Sequence, residues 1–562
     1  MLSHTLIVKI YLWHKTGNSV CEYNCTIGKP AQCLRKVVRT CLILPIWGRM
    51  PARIMLKQLR YALILIGFMG LLFSACTRTW DADSAPWVAA PGSTLPEDAL
   101  VDPGNPMTTA RPVGSPVMSP TPDAPHAIPG LRTDDDQYTV QPGDTLGQIS
   151  DRFGVGIPAI AEINNIADIN ILEVGQILVI PAPEPIASGS SFKIIPDSEF
   201  VAGPMSAYFD VPDFVYQKNG YLVRHEEEVE GTMLNGFQIV QRISQDYSVN
   251  PRILLAVLEY QSGWVTNPNP QTFTLQYPLG WEDSNRQGLY KQLAWAANEL
   301  NRGYYLWRAN AVASWSLPDG AVIPIDPTIN AGTAALQHFF SKLYAQEIWE
   351  RSIRSDGVYK TYQTLFGYSF DYAVEPLLPA GLSQMPLELP FEQGVDWAFT
   401  GGPHGGWGEG SAWAALDFAP YNEPLGCVTS ESWVTAMTDG LIVRTGNGAV
   451  VQDLDGDGLE QTGWTILYMH IETRDRVAVG MTLQAGERVG HPSCEGGVST
   501  GTHVHIARRY NGEWIPADQD IPFNLDGWVS EGAGAVYNGA LVKGDRVIVA
   551  ENGFIPENLI RR

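Results

Sequence analysis

The sequence predicts a multidomain α+β protein: a small strand-helix-helix-strand unit, then a mostly helical middle domain, then a C-terminal all-β domain. Three observations carry this expectation. At 562 residues the chain exceeds what one core organises, and domains of about 100–200 residues predict three or four units. Two stretches, 77–133 and 181–191, are rich in Pro, Ser and Ala and poor in large apolar residues, so they separate the units. Near residue 389 the apolar pattern changes from helical spacing to short β-type runs between glycines and polar turns.

Charge narrows the function before any motif is read. The formal charge of −23 hides an asymmetry, because residues 1–76 hold ten Lys/Arg against the single Glu22, which leaves −32 after Cys76. So acidic a body repels anionic polymers and argues against nucleic acid as a partner. Residues 55–76 have the basic start (Lys57, Arg60), short apolar run and small-residue exit of a secretory signal. The thirteen residues 61–73 are short for a membrane span of ~20; an uncleaved membrane anchor is the alternative reading. Leu72-Phe73-Ser74-Ala75 before Cys76 resembles a bacterial lipobox, which implies lipidation at Cys76 and an exported, membrane-anchored envelope protein, otherwise a secreted one. Residues 1–54 precede that signal, hold four of the seven cysteines and show no sustained helical or strand period, so they read as an upstream extension from a mistaken start codon. After Cys76 only Cys427 and Cys494 remain, and in an oxidising compartment they either pair as a disulfide or stay as separate buried thiols.

The stretch 77–133 reads as a disordered tether. The unit 137–181 follows, with strands at 138–140 and 177–180 and helices from Thr145 and at 157–164. Its Tyr138-Thr139-Val140-x-x-Gly143-Asp144-Thr145-Leu146-x-x-Ile149, Ile163-Asn164-Asn165 and Leu172-x-x-Gly175-Gln176-x-Leu178-x-Ile180-Pro181 resemble the LysM module. That resemblance implies binding of N-acetylglucosamine-containing glycan between the loop Gly143, Asp144, Thr145, Leu146 and the loop carrying Ile169, Asn170 and Leu172. Gly143 and Asp144 also suit a turn and helix cap, and the two readings are compatible.

Residues 205–380 turn helical, with helices expected at 236–246, 251–261, 288–301 and 329–344. The run Val249-Asn250-Pro251 through Glu259-Tyr260-Gln261-Ser262-Gly263-Trp264, with Asp326-Pro327-x-x-Asn330-Ala331-Gly332-Thr333, resembles lysozyme-like lytic transglycosylases. That family places its general acid where Gln261 stands here. Glutamine cannot exchange a proton near neutral pH, and Glu259 lies ~200° around the helix from it. The domain therefore reads as a non-catalytic glycan-binding or spacer unit, the alternative being a glycosidase with a relocated acid such as Glu259.

The domain 389–545 holds the chemistry. His503 and His505 alternate along a predicted strand and so project to one side. His404 follows Gly401-Gly402-Pro403, and Asp417 sits among apolar residues, where a carboxylate is costly unless paired or metal-bound. His404, Asp417 and one of the strand histidines give three N/O ligands, and an open fourth position suits catalytic zinc. With Tyr468-Met469-His470, Val479-Gly480-x-x-Leu483-x-x-Gly486-x-x-Val489-Gly490 and Ser499-Thr500-Gly501-Thr502, these residues resemble the lysostaphin and LytM type of zinc endopeptidase over 401–508. The thirteen-residue spacing of His404 and Asp417 is similar to the staphylolytic protease branch. The resemblance implies Zn2+ on His404, Asp417 and His505, with His470 and His503 as the catalytic histidines, one orienting or deprotonating water and the other stabilising the oxyanion. It implies hydrolysis of stem or cross-bridge peptides in peptidoglycan; a non-catalytic wall-binding protein or regulator of wall hydrolases is the other class. Asp453-x-Asp455-x-Asp457-Gly458 matches half of a Ca2+ loop, but Trp464 replaces the closing glutamate, so a calcium-stabilised loop and an acidic solvated turn both fit.

Overall fold

The structure, a computed structural model, describes residues 134–562 apart from 142–143, 183–187 and 422, together with two N-terminal strands. The expected signal, Cys76 and the tether lie outside the described residues. The chain divides into a unit of residues 1–84 and a unit of residues 85–562. In the first, Thr5–Leu12 and Ser19–Thr26 form an antiparallel ladder. These strands lie where the sequence shows no sustained period, in a stretch with β-branched residues at Thr5, Ile7, Val8 and Ile10. No helix among the described residues is long and apolar enough to cross a membrane.

The second unit begins with the expected βααβ module. Asp136–Thr139 pairs antiparallel with Ile177–Ile180, and between them lie helices Leu146–Phe153 and Ile157–Ile163. Thr145 closes a capping box with Gln148, so the first helix starts one residue after its cap. Val140, Leu146, Ile149, Ile160, Leu178 and Ile180 form the core. The module rests against the helical domain, where Asp151 meets Lys342 at 3.0 Å and Ser150 meets Ser316 at 3.4 Å.

The helical domain is built on Gly236–Tyr247, Pro251–Ser262, Leu289–Arg308 and Ala331–Ser341. Asn235 and Asn250 cap the first two, and Pro251 takes the first turn, where its missing N–H costs nothing. Ile194, Ile195, Phe200 and Val201 share the same core, so the domain starts before the expected residue 205. Leu289–Arg308 also runs past the expected end at 301, because Gly303 is no break here: it allows a close helix crossing, where an added Cβ would meet His338 Cβ at 2.5 Å.

The β domain centres on a nine-stranded antiparallel sheet. Its path runs Thr482–Leu483, Gly440–Gly446, Ala449–Asp453, Trp464–Met469, Val504–Tyr510, Ala415–Pro420, Asp396–His404 and Leu559–Arg561, with Glu513–Trp514 paired to Val504–Tyr510. Leu559–Arg561 extends the sheet beyond the expected end at 545. Alternation buries both faces. Leu416, Phe418, Val450, Ile466, Val504 and Ile506 pack into the domain's own core. Ala415, Ala449, Val451, Leu467 and Ala507 instead share a core with the helical domain. Ion pairs cross that boundary where Arg444 reaches Asp246 and Arg308 reaches Glu513, at 3.0 Å each, and Glu460 within the β domain completes the buried cluster with Arg444 at 3.0 Å and Arg509 at 2.8 Å, since buried charges need partners. A four-stranded sheet, Asn524–Leu525, Trp528–Gly532, Gly539–Lys543 and Arg546–Val549, follows.

Candidate metal centre

Strand pairing brings the expected residues together. Asp417 stands opposite His505 across the sheet, and His505 also faces Met469, the residue before His470. His404 ends Asp396–His404, where the ladder with Ala415–Pro420 shifts register on either side of Asp417. His470 leaves its strand with φ of 63°, a left-handed conformation that turns its ring toward His503, 4.5 Å away between centroids. His404, Asp417, His470 and His505 are buried and His503 is partly buried, and they occupy the sheet face turned toward the helical domain.

His404 Nε2, Asp417 Oδ1 and His505 Nδ1 converge. The two nitrogens are 2.9 Å apart, and they lie 3.3 and 3.2 Å from the carboxylate oxygen. His503 Nε2 comes within 3.8 Å of the same oxygen. The opposite nitrogen of each ring meets a backbone carbonyl: His404 Nδ1 meets Gly402 at 2.8 Å, His505 Nε2 meets Gly406 at 3.1 Å, His470 Nδ1 meets Glu495 at 3.0 Å and His503 Nδ1 meets Gly501 at 2.8 Å. A carbonyl only accepts, so each neutral ring spends its N–H outward and turns a lone pair inward. Asp417 Oδ1 is buried without a hydrogen-bond partner. Two imidazole lone pairs and a carboxylate oxygen in one buried spot repel unless positive charge stands among them. Donors sharing one tetrahedral zinc at about 2.0–2.1 Å stand about 3.3 Å apart, close to the spacing here. The residues present therefore fit a zinc ion, and the outer carbonyls fix the ring orientations such a site needs.

The ionisation of the group shows the same demand for positive charge. Burial would raise the Asp417 carboxyl, but His404 and His503 override it and hold it well below the usual carboxylate range. Burial would lower His404, yet the Asp417 charge beside it raises it. Burial lowers His505, with the His404 charge adding to the effect against its contact with Asp417. Burial, then His503 and His505, push His470 down to about 3, so it is a neutral imidazole across the physiological range.

Tyr537 lies outside the expected set. Tyr537, on the connection after Trp528–Gly532, stacks on His404 with ring centroids 4.3 Å apart and 25° between planes. Its φ of 66° is held by hydrogen bonds to the Pro403 carbonyl at 3.1 Å and from the Gly402 amide at 2.8 Å. Burial and then the Asp417 charge raise its phenol. No local pattern marks this tyrosine in the sequence; only its place after a hairpin strand does. Cys427 and Cys494 are joined as a disulfide, and Cys494 precedes the Glu495 that orients His470.

Known proteins resemble several parts of the chain. Residues 138–181 match the LysM domain family and residues 193–378 match the family described as LasA, N-terminal domain. Over 288 residues the chain is 26% identical to Protease LasA of Pseudomonas aeruginosa strain UCBPP-PA14, an alignment covering 48% of this chain and 65% of that protein. The chain thus spans just under two thirds of the length of that relative. Over 46 residues it is 48% identical to N-acetylmuramoyl-L-alanine amidase XlyA of Bacillus subtilis strain 168, covering 8% of this chain and 16% of that protein. Among solved structures, the M23 metalloprotease pseudoalterin from the deep sea is 24% identical, covering 30% of this chain and 96% of its own, with a TM-score of 0.25. A zinc-containing peptidase from Vibrio cholerae is 15% identical over 25% of this chain and 41% of its own, with a TM-score of 0.16. The family matched by the middle domain is thus the LasA N-terminal domain, where the sequence pattern resembled a lysozyme-like one.

Gln261 accepts from the Tyr344 hydroxyl at 2.5 Å and donates to the Leu279 carbonyl at 2.8 Å. Glu259 is taken up by the Val265 and Thr266 amides at 3.0 Å each and by the Thr266 hydroxyl at 2.5 Å. In the module, Gly143 lies outside the described residues. Asp144 accepts from the Tyr138 hydroxyl and the Gln141 amide at 2.7 Å each, Thr145 is the helix cap and Leu146 is core. Ile169 and Asn170 are exposed, and Leu172 is half-buried against that core. Asp453, Asp455 and Asp457 offer ligand atoms within 4.8 Å of one another. Their oxygens already accept from the amides of Asp455, Gly458, Asp457 and Leu459 and from the Thr462 hydroxyl.

Proposed function

We propose that the protein is an exported cell-wall hydrolase whose C-terminal domain is a zinc endopeptidase acting on stem or cross-bridge peptides of peptidoglycan. The observation that carries this is the inward convergence of His404, Asp417 and His505, with His470 and His503 beside them and every outer ring nitrogen on a backbone carbonyl. When bound, zinc would supply Lewis acidity to the scissile carbonyl and to water. His404 Nε2, Asp417 Oδ1 and His505 Nδ1 would hold it. The neutral His470 has its Nε2 lone pair free to take a proton, and His503 can hold one against the oxyanion; the reverse division of labour uses the same geometry. The match of residues 138–181 to LysM supports targeting by glycan, through exposed Thr145, Ile169 and Asn170. In the middle domain, Gln261 and Glu259 are each engaged by neighbours and Gln261 has no proton to exchange, which supports a spacer or binding role there rather than a glycosidase. Lipidation at Cys76 would tether the whole to a membrane.

The test is incubation of the purified chain with cross-linked peptidoglycan, with and without a zinc chelator. New amino termini that the chelator abolishes are expected. If no bridge chemistry yields new termini, the chain is a wall-binding protein instead.

A further inference from the structure

The helical domain reaches the centre through the connection between His404 and Asp417. Residues 405–414 leave the sheet and run against helix Leu289–Arg308. The Gly410 amide donates to Asn298 Oδ1 at 2.8 Å, and an added Cβ at Gly410 would meet the Asn298 carbonyl oxygen at 1.9 Å, so backbone lies on backbone. Gly408, with φ of 68°, sits where an added Cβ would be 2.9 Å from Asn298 Oδ1 and 3.1 Å from the Tyr247 ring. Within the loop, the Gly406 amide donates to the Ala412 carbonyl at 3.0 Å, the Trp407 amide to the Ser411 hydroxyl at 3.0 Å, and that hydroxyl to the Gly408 carbonyl at 3.1 Å. The loop is thus one hydrogen-bonded piece, clamped at one end by Asn298. At its other end the Gly406 carbonyl accepts from His505 Nε2 at 3.1 Å. Which nitrogen of His505 faces inward is set by that carbonyl.

We propose that Asn298 of the helical domain is a positioning residue of the metal centre, acting through the 405–411 loop and the Gly406 carbonyl on the tautomer and orientation of His505. The inference rests on the zinc reading above and adds that the helical domain is a working part of the peptidase site. Asn298 touches no ligand itself. Its carboxamide oxygen fixes where the loop lies, and the loop fixes the third donor. Partners that orient metal-bound histidines are worth about 10–100-fold in affinity, and one step further out about 3–10-fold is expected.

The experiment uses the full chain in three forms: wild type, Asn298→Leu, which keeps volume and removes the acceptor, and Asn298→Asp, which keeps an acceptor for the Gly410 amide. Zinc affinity is measured by chelator competition, the ligand field by the visible spectrum of the cobalt-substituted protein, and folding by the Tm of the metal-free form. The expected result is a Kd for zinc raised about 3–10-fold in Asn298→Leu with an altered cobalt spectrum, and recovery of both in Asn298→Asp. If wild type binds zinc and Asn298→Leu matches it in Kd and spectrum, the positioning role is overturned; if wild type binds none, the zinc reading itself falls. Should Asn298→Leu fail to fold, Gly410→Ala, which displaces the loop from the helix on the β-domain side, is read the same way, and a zinc Kd equal to wild type in that variant overturns the proposal.

Discussion

Gln261 in the helical domain and His505 in the β domain are both polar side chains where a family resemblance expects chemistry, and they are wired oppositely. Gln261 gives its amide to the Leu279 carbonyl and accepts from the Tyr344 hydroxyl, so both polar ends are held by the domain's own groups. His505 spends only its outer N–H, on Gly406, and aims its other nitrogen at His404 and Asp417. A reactive centre is recognised by outer contacts that are complete and inner atoms that are not. Glu259 belongs with Gln261 on this measure, since its carboxylate is closed by two amides and a hydroxyl.

The comparison breaks most visibly at Asp417. Asp417→Asn is expected to lower kcat/KM for peptide cleavage by about 10³-fold or more, since residues acting as one unit fail together, while Gln261→Ala leaves cleavage unchanged; amino-terminal release measures both. The acidic turn tests an intermediate case, closed by its own amides yet charged. Burial and then Asp455 push Asp453 up to about 7. A carboxyl raised in the folded state contributes stability that is present below its unfolded pKa near 3.9 and lost as pH rises through 7, by at most about 1.4 kcal/mol per pH unit. Urea denaturation between pH 4 and 7 should show this slope, and Asp453→Asn should flatten it. A calcium site would instead show calcium-dependent stabilisation at pH 7.

Smaller effects separate the two readings of the middle domain. Gln261→Glu puts a carboxylate against the Leu279 carbonyl and is expected to cost about 1–3 kcal/mol of stability without creating a glycosidase; release of anhydromuramyl sugars would show that the fold needed only the acid. Glu259→Gln should cost about 1–2 kcal/mol through its lost charged contacts to the Val265 and Thr266 amides, with wall cleavage unaltered.

Much of the centre was legible because its side chains lie on strands. Two-residue alternation placed His503 and His505 together, and an acidic residue among Ala415, Leu416, Phe418 and Ala419 betrayed Asp417. The four orienting carbonyls were not legible, since a backbone group carries no residue signature. Tyr537 was missed because its position depends on a hairpin loop over a hundred residues from His404 in sequence. The docking of the helical domain was missed because Ala415, Ala449 and Ala507 read alike whether a strand faces its own core or a neighbour's. Gly410 reads as an ordinary turn residue until the helix beneath it is known.

The most direct measurement of the central claim is metal analysis of the purified chain by elemental quantification and X-ray absorption at the zinc edge. One zinc per chain is expected, with mixed nitrogen and oxygen donors from the protein, lost in His505→Ala. Absence of stoichiometric zinc from the wild-type protein, or a zinc content that survives His505→Ala unchanged, would contradict it.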